Sequence, residues 1–136
     1  MKEKKESNIL RKIHLFDAEQ ETLGRMATQI VLILRGKNKV SFDPAIDSGD
    51  CVAVINSDLV KVTGNKKDKK KYFRFSGYPG GISSPTLSEM ITTDSRKVIE
   101  KAVYGMLPKN KLRKKMMNRL FVYKTQDHKH QIDITH

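Results

Sequence analysis

Asp43, Asp47 and Asp50 place three carboxylates within eight positions, a residue type and density that can hold a divalent cation for phosphodiester chemistry. The spacing lacks the alternation of a calcium loop. Pro44, Ser48 and Gly49 make the stretch read as a turn whose aspartates cap or solvate backbone groups, so no metal or other cofactor is assigned. His128 and His130 flank Lys129 without an evident third ligand, and read as solvated or RNA-contacting side chains. His14 and Cys51 form no nucleophile-base pair legible from their positions, and no glycine-framed serine resembles a nucleophile elbow. Gly64-Asn65-Lys66 and Gly77-Tyr78-Pro79-Gly80-Gly81 lack both the Walker spacing and the GxGxxG fingerprint. They read as turns whose backbone N–H groups or flanking lysines meet phosphate.

The stronger chemical signal is cationic. Lys66, Lys67, Lys69, Lys70, Lys71 and Arg74 are opposed in their run only by Asp68 and lead into Tyr78, Gly80 and Gly81. Lys109, Lys111, Arg113, Lys114, Lys115 and Arg119 form a second run with no acid, after Gly105 and Pro108. Arg25, Arg35, Lys37 and Lys39 add the same sign around a predicted helix, and the formal net charge is +12. Such density repels itself unless a polyanion relieves it, which points to nucleic acid. Lysines act as mobile point charges toward phosphate, whereas the arginines can grip it bidentately. Tyr78 either stacks on a base or packs internally.

These groups need a scaffold, and 136 residues suffice for one domain that buries roughly two-thirds of its unfolded surface. The single cysteine, Cys51, excludes an internal disulfide framework and reads as a small half-buried residue in a reducing compartment. Residues 1–11 read as a basic arm, 12–130 as the domain and 131–136 as a polar tail. The charged N-terminus has no secretory apolar stretch, and the longest apolar run, Ile30 to Leu34, is far below the ~20 residues of a membrane span. The expectation is a soluble, cytoplasmic protein with neither a membrane nor a small-molecule substrate as partner.

Periodicity supplies the elements. Ile13 to Asp17 reads as a strand, and Thr22 as the N-cap of a helix whose Leu23, Met26, Ala27, Ile30, Val31 and Leu34 share one face, with Gly36 as its stop. Val52 to Ile55 is a β-branched strand apolar on both faces, and Tyr72 to Phe75 a further extended segment. Thr86 and Glu89 have capping-box spacing. Asp94 or Ser95 then caps another helix, with Val98, Ile99, Ala102, Val103 and Met106 inward. A basic helix over 110–118 with Leu112 and Met116 inward is followed by a closing segment, Leu120 to Tyr123. This order predicts an α/β fold.

Seven blocks in register carry a resemblance: Phe16-Asp17-Ala18, Thr22-Leu23-Gly24-Arg25-Met26-Ala27-Thr28, Leu34-Arg35-Gly36-Lys37, Asp47-Ser48-Gly49-Asp50, Val62-Thr63-Gly64-Asn65-Lys66, Ser76-Gly77-Tyr78-Pro79-Gly80-Gly81 and Ala102-Val103-Tyr104-Gly105-Met106-Leu107-Pro108-Lys109-Asn110. Over residues 12–130 the sequence resembles the large-subunit ribosomal protein L-thirteen family in its bacterial or organellar form. The resemblance implies a three-layer α/β/α sandwich around a mainly parallel sheet of about four strands, with basic loops and a basic C-terminal helix. It further implies a structural, non-catalytic role, with 23S-type rRNA and neighbouring large-subunit proteins as partners, early in subunit assembly; an organellar matrix would serve as well as the cytoplasm. The segments bearing Arg25, Arg35 to Lys39, Lys66 to Gly81 and Pro108 to Arg119 match the family's rRNA-facing parts. Ile13 replaces a usual aromatic, Phe75 a histidine, and Lys129 a proline between histidines. The rival readings are a small metal-dependent nuclease using the three aspartates and a generic DNA-binding protein.

Overall fold

A computed structural model describes residues 10–64, 69–75 and 77–136. In chain order the elements are β1 (Ile13–Asp17), α1 (Leu23–Arg35), β2 (Cys51–Ile55), a 3-10 turn (Ser57–Leu59), β3 (Arg74–Phe75), β4 (Ile82–Ser83), α2 (Leu87–Met106), α3 (Arg113–Met117), β5 (Leu120–Val122) and β6 (Ile134–Thr135). Four strands form a parallel sheet in the order β5-β2-β1-β6, and β3 with β4 forms a small antiparallel pair. The α/β expectation is met.

The central strand β2 is buried on both sides, with Val52, Ala53 and Val54 fully enclosed, as its unbroken apolar run requires. Val52 and Val54 join Phe16 and Leu120 in the core with α1 and α2, whose Met26, Ile30, Leu34, Val98, Ile99 and Val103 are also fully or almost fully buried. All three helices touch one another. Phe121, whose neighbours Leu120 and Val122 belong to that core, instead meets the His130 ring, their centroids 4.4 Å apart.

The predicted stripe of α1 is buried in full, with Ile33 added. Gly36 ends the helix at φ 82°, its N–H donating to the carbonyls of Ile33 and Leu32, a left-handed cap that glycine adopts without Cβ strain. Thr86 and Glu89 make both bonds of the capping box at the start of α2. The two helices expected on either side of Asp94 form the two halves of α2, broken there: Asp94 is extended (φ −157°) and caps the second half, its carboxylate accepting from the Arg96 N–H at 3.2 Å. Met106, expected inward, is 46% exposed because the apolar face turns away before the helix ends. The basic helix is shorter than expected, Asn110 capping the turn before it by accepting from the Leu112 N–H at 3.1 Å.

The C-terminal tail is corrected most. Residues 134–135 pair with β1, and the flanking groups extend the match: the Asp133 N–H donates to the Ile13 carbonyl and the His136 N–H to that of Leu15. His136 stacks on Phe16 with centroids 4.5 Å apart. Polar composition hid a strand that supplies one edge of the sheet.

One close approach tests the packing directly. A Cβ on Gly49 would fall onto the Leu34 carbonyl and against the Arg119 guanidinium. Gly49→Ala should cost about 3 kcal/mol or more of unfolding free energy, read from urea midpoints; a change below about 0.5 kcal/mol would refute the close approach.

Candidate nucleic-acid interface

The aspartates that could have held a metal hold the protein together. Asp50 is 2% exposed. It accepts from His14 Nε2 at 2.9 Å, Lys39 Nζ at 2.8 Å and the Lys12 N–H at 3.2 Å. Burial by itself would raise its pKa, but the donors from Lys39, His14 and Lys12 outweigh it and hold the carboxyl below its ordinary range. Asp47 pairs with Arg119 and, at 3.7 Å, with Arg11. Asp43 is exposed and accepts from the Ala45 N–H at 2.9 Å, an Asx turn. His14 Nδ1 continues the network to His136 Nε2 at 2.8 Å.

Arg119 belongs to this network. Its guanidinium donates to the Asp50 carbonyl at 2.9 Å and the Leu34 carbonyl at 3.0 Å, and binds Asp47. Only 9% exposed, it is removed from the expected phosphate-binding set. Burial pulls its pKa down, with Asp47 acting in the opposite sense. Lys39 is likewise turned inward, toward Asp50 and the Ser48 carbonyl. His130 is engaged too, its Nε2 2.6 Å from the Tyr123 hydroxyl. The signal for Arg119 was present but ambiguous, since a run of cations gives no sign of which member faces a carboxylate elsewhere in the chain.

The other cations divide by position. Lys69, Lys70 and Lys71 are exposed, yet their backbone is pinned: Leu87 N–H donates to the Lys70 carbonyl, Tyr72 N–H to that of Pro85, and Lys71 bridges Thr86. Lys70 and Lys71 therefore lie along the start of α2. Lys109, Lys111, Lys114 and Lys115 are exposed just after α2 ends. Arg113 lies 3.4 Å from the Tyr104 ring centroid and also donates to the Tyr104 carbonyl, which fixes its position on the surface. Arg25 and Lys37 are exposed, and Arg35 is half-buried beside Phe42. Arg74 lies on β3, while Lys66 and Lys67 fall outside the described residues.

Between β3 and β4, Gly77 (φ 88°) and Gly80 (φ 75°) carry the chain through a tight turn, closed by the Gly81 N–H donating to the Tyr78 carbonyl at 2.9 Å. Tyr78 is 75% exposed, which leaves its ring face open for stacking. Lys101 was missed because a single cation on a helix gives no run. Its Nζ lies 4.9 Å from the Tyr72 ring centroid, and Lys70 Nζ lies 5.5 Å from the same centroid.

Exposed lysines thus stand on pinned segments, while Asp47 and Asp50 are turned inward. The family model for ribosomal protein L13 matches residues 11–129. The chain belongs to the ribosomal protein L13 family. Among its relatives, the large ribosomal subunit protein uL13 of Agathobacter rectalis is 52% identical over 124 residues, 91% of this chain and 87% of the relative. That of Staphylococcus aureus strain JH9 is 47% identical over 125 residues, 92% and 86% of the two chains. In this chain the Asp47 to Asp50 block is structural: its carboxylates hold Arg11, Lys12 and His14 at β1, Lys39 after α1 and Arg119 just before β5.

Acid titration checks that clamp. Because the folded-state pKa of Asp50 is lowered, its stabilisation is complete above the ordinary value of 3.8 and is lost as pH falls through the folded value. Asp50→Asn should cost about 3 kcal/mol at neutral pH and should reduce the further loss between about pH 5 and pH 2. Urea unfolding at each pH measures both, and an undiminished acid slope in the variant would assign that loss to other carboxylates.

Proposed function

We propose that this chain is a structural, non-enzymatic protein of the large ribosomal subunit that binds 23S-type rRNA and supports early subunit assembly in the cytoplasm. The observation that carries the reading is the separation of charge. The acids most suited to metal chemistry, Asp47 and Asp50, are engaged with Arg119, Arg11, Lys39 and His14. Lys69 to Lys71 and Lys109 to Lys115 remain on the surface at the two ends of α2. Neighbouring large-subunit proteins are the other proposed partners.

Binding on this reading is driven by phosphate neutralisation and counterion release, with lysines supplying most of the charge. Tyr78 is open to a base, and the turn at Gly80 and Gly81 offers backbone without bulk. Recognition follows RNA shape, because A-form helices hide their major-groove edges from side chains.

The measurement is filter binding to a large-subunit rRNA transcript across a salt series, with duplex DNA as competitor. Replacing Lys69, Lys70 and Lys71 by alanine should flatten the log-log salt slope by about 0.9 for each duplex phosphate no longer neutralised, and by less on single strands. Equal affinity for duplex DNA, or an unchanged slope, counts against the reading. Arg119→Gln is the control: it should lower stability by about 3 kcal/mol while leaving the slope of the folded protein as in wild type.

A further inference from the structure

We propose that the groove between the start of α1 and the end of α2 seats an RNA sugar-phosphate strand, with Gly24 and Gly105 as the points of closest backbone approach. This deepens the rRNA reading and rests on it.

Arg25, Lys70 and Lys101 line the groove from three separate parts of the chain, together with Gly24, Leu87 and Gly105; among the described residues no acid lines it. The kink at Asp94 allows Leu87 and Gly105, near opposite ends of α2, to share one wall. None of the three cations forms an ion pair among the described residues. Lys70 and Lys101 each lie over the Tyr72 ring, Nζ to centroid 5.5 and 4.9 Å.

The glycines identify the kind of occupant. Gly24 is the second residue of α1 and Gly105 the penultimate residue of α2, both exposed. Neither has the positive φ that would call for glycine, and a Cβ at either would meet nothing within 4 Å. Alanine is the better helix former at such positions, so nothing inside the protein calls for the missing side chains. The two helix ends stand side by side: Thr28 Oγ1 donates to the Gly24 carbonyl at 2.9 Å and reaches Met106 Sδ at 3.8 Å. Two bare stretches of helix flanked by free cations suit a polyanionic backbone that comes close to the main chain. Lys70 also belongs to the exposed lysine run, so the groove continues the proposed RNA surface.

Gly24→Ala with Gly105→Ala, and separately the bulkier Gly105→Gln, test this in the full chain, using the rRNA transcript as probe and thermal unfolding as a companion measurement. The double-alanine variant should melt at or above the wild-type temperature yet bind about tenfold more weakly, with an unchanged salt slope because no charge is removed. Arg25→Gln and Lys101→Gln should each lower the slope by about 0.9 for a duplex phosphate. Affinity within about twofold of wild type in all the glycine variants, while the Lys69 to Lys71 variant still weakens binding, overturns the groove and leaves the rRNA reading standing. Weaker binding matched by a lower melting temperature also overturns it, marking the glycines as structural. A wild-type protein that does not prefer rRNA to duplex DNA removes the rRNA reading and the groove with it.

Discussion

The guanidinium of Arg119 ties together pieces of chain that no regular element connects. It binds the Leu34 carbonyl near the end of α1, the Asp50 carbonyl at the entrance to β2 and the Asp47 side chain in the intervening loop. Its own backbone carbonyl accepts from the Val52 N–H and so begins the β2–β5 pairing. Peptide carbonyls near a helix end need donors, and here an arginine from across the fold supplies one. The geometry works only because Gly49 has no side chain to separate the loop from α1. Removing the arginine would leave a carboxylate and two carbonyls short of a donor in a poorly solvated place, which is costlier than breaking a surface pair.

A protein of net charge +12 must hold itself together against its own repulsion. The fold does so by drawing Asp47 and Asp50 against Arg11, Lys39 and Arg119 beside the sheet, so that attractive pairs act where solvent screens least. Lys70 and Lys71 stand on a segment fixed by backbone bonds, and the repulsion among exposed lysines is carried by solvent and salt. Burial and exposure thus divide the members of the same basic runs. Arg119 and Lys115 are near neighbours in sequence but belong to opposite sides of that division.

Apolar periodicity made β1, α1, β2 and both halves of α2 legible, because each buries a face wide enough to leave a repeating pattern. The capping box at Thr86 and Glu89 and the stop at Gly36 were legible because they are local chemistry. What escaped was set by distant partners. Arg119 looks like any cation in its run until Asp47 and the Leu34 carbonyl are beside it. β6 spans two residues and borrows its stability from β1, so it has no period of its own. His130 read as a solvated or RNA-contacting side chain because nothing nearby in sequence foretells Phe121 beside it. Of the candidate interface, the lysine runs were visible as runs, whereas Lys101 becomes notable only through its place over the Tyr72 ring.

The pairing of β1 with β6 has a consequence for the order of events in synthesis. β1 precedes the other strands of the described residues, yet it lies inside the sheet, and the bond from the Ile13 N–H to the Asp133 carboxylate spans 120 residues of sequence. Until that late segment has emerged, one side of β1 presents open backbone groups to whatever is near, the condition under which strands find wrong partners. Long-range closure of this kind is slow. The finished sheet therefore waits on residues 133–136, and β1, made early, is among the last strands to be fully enclosed.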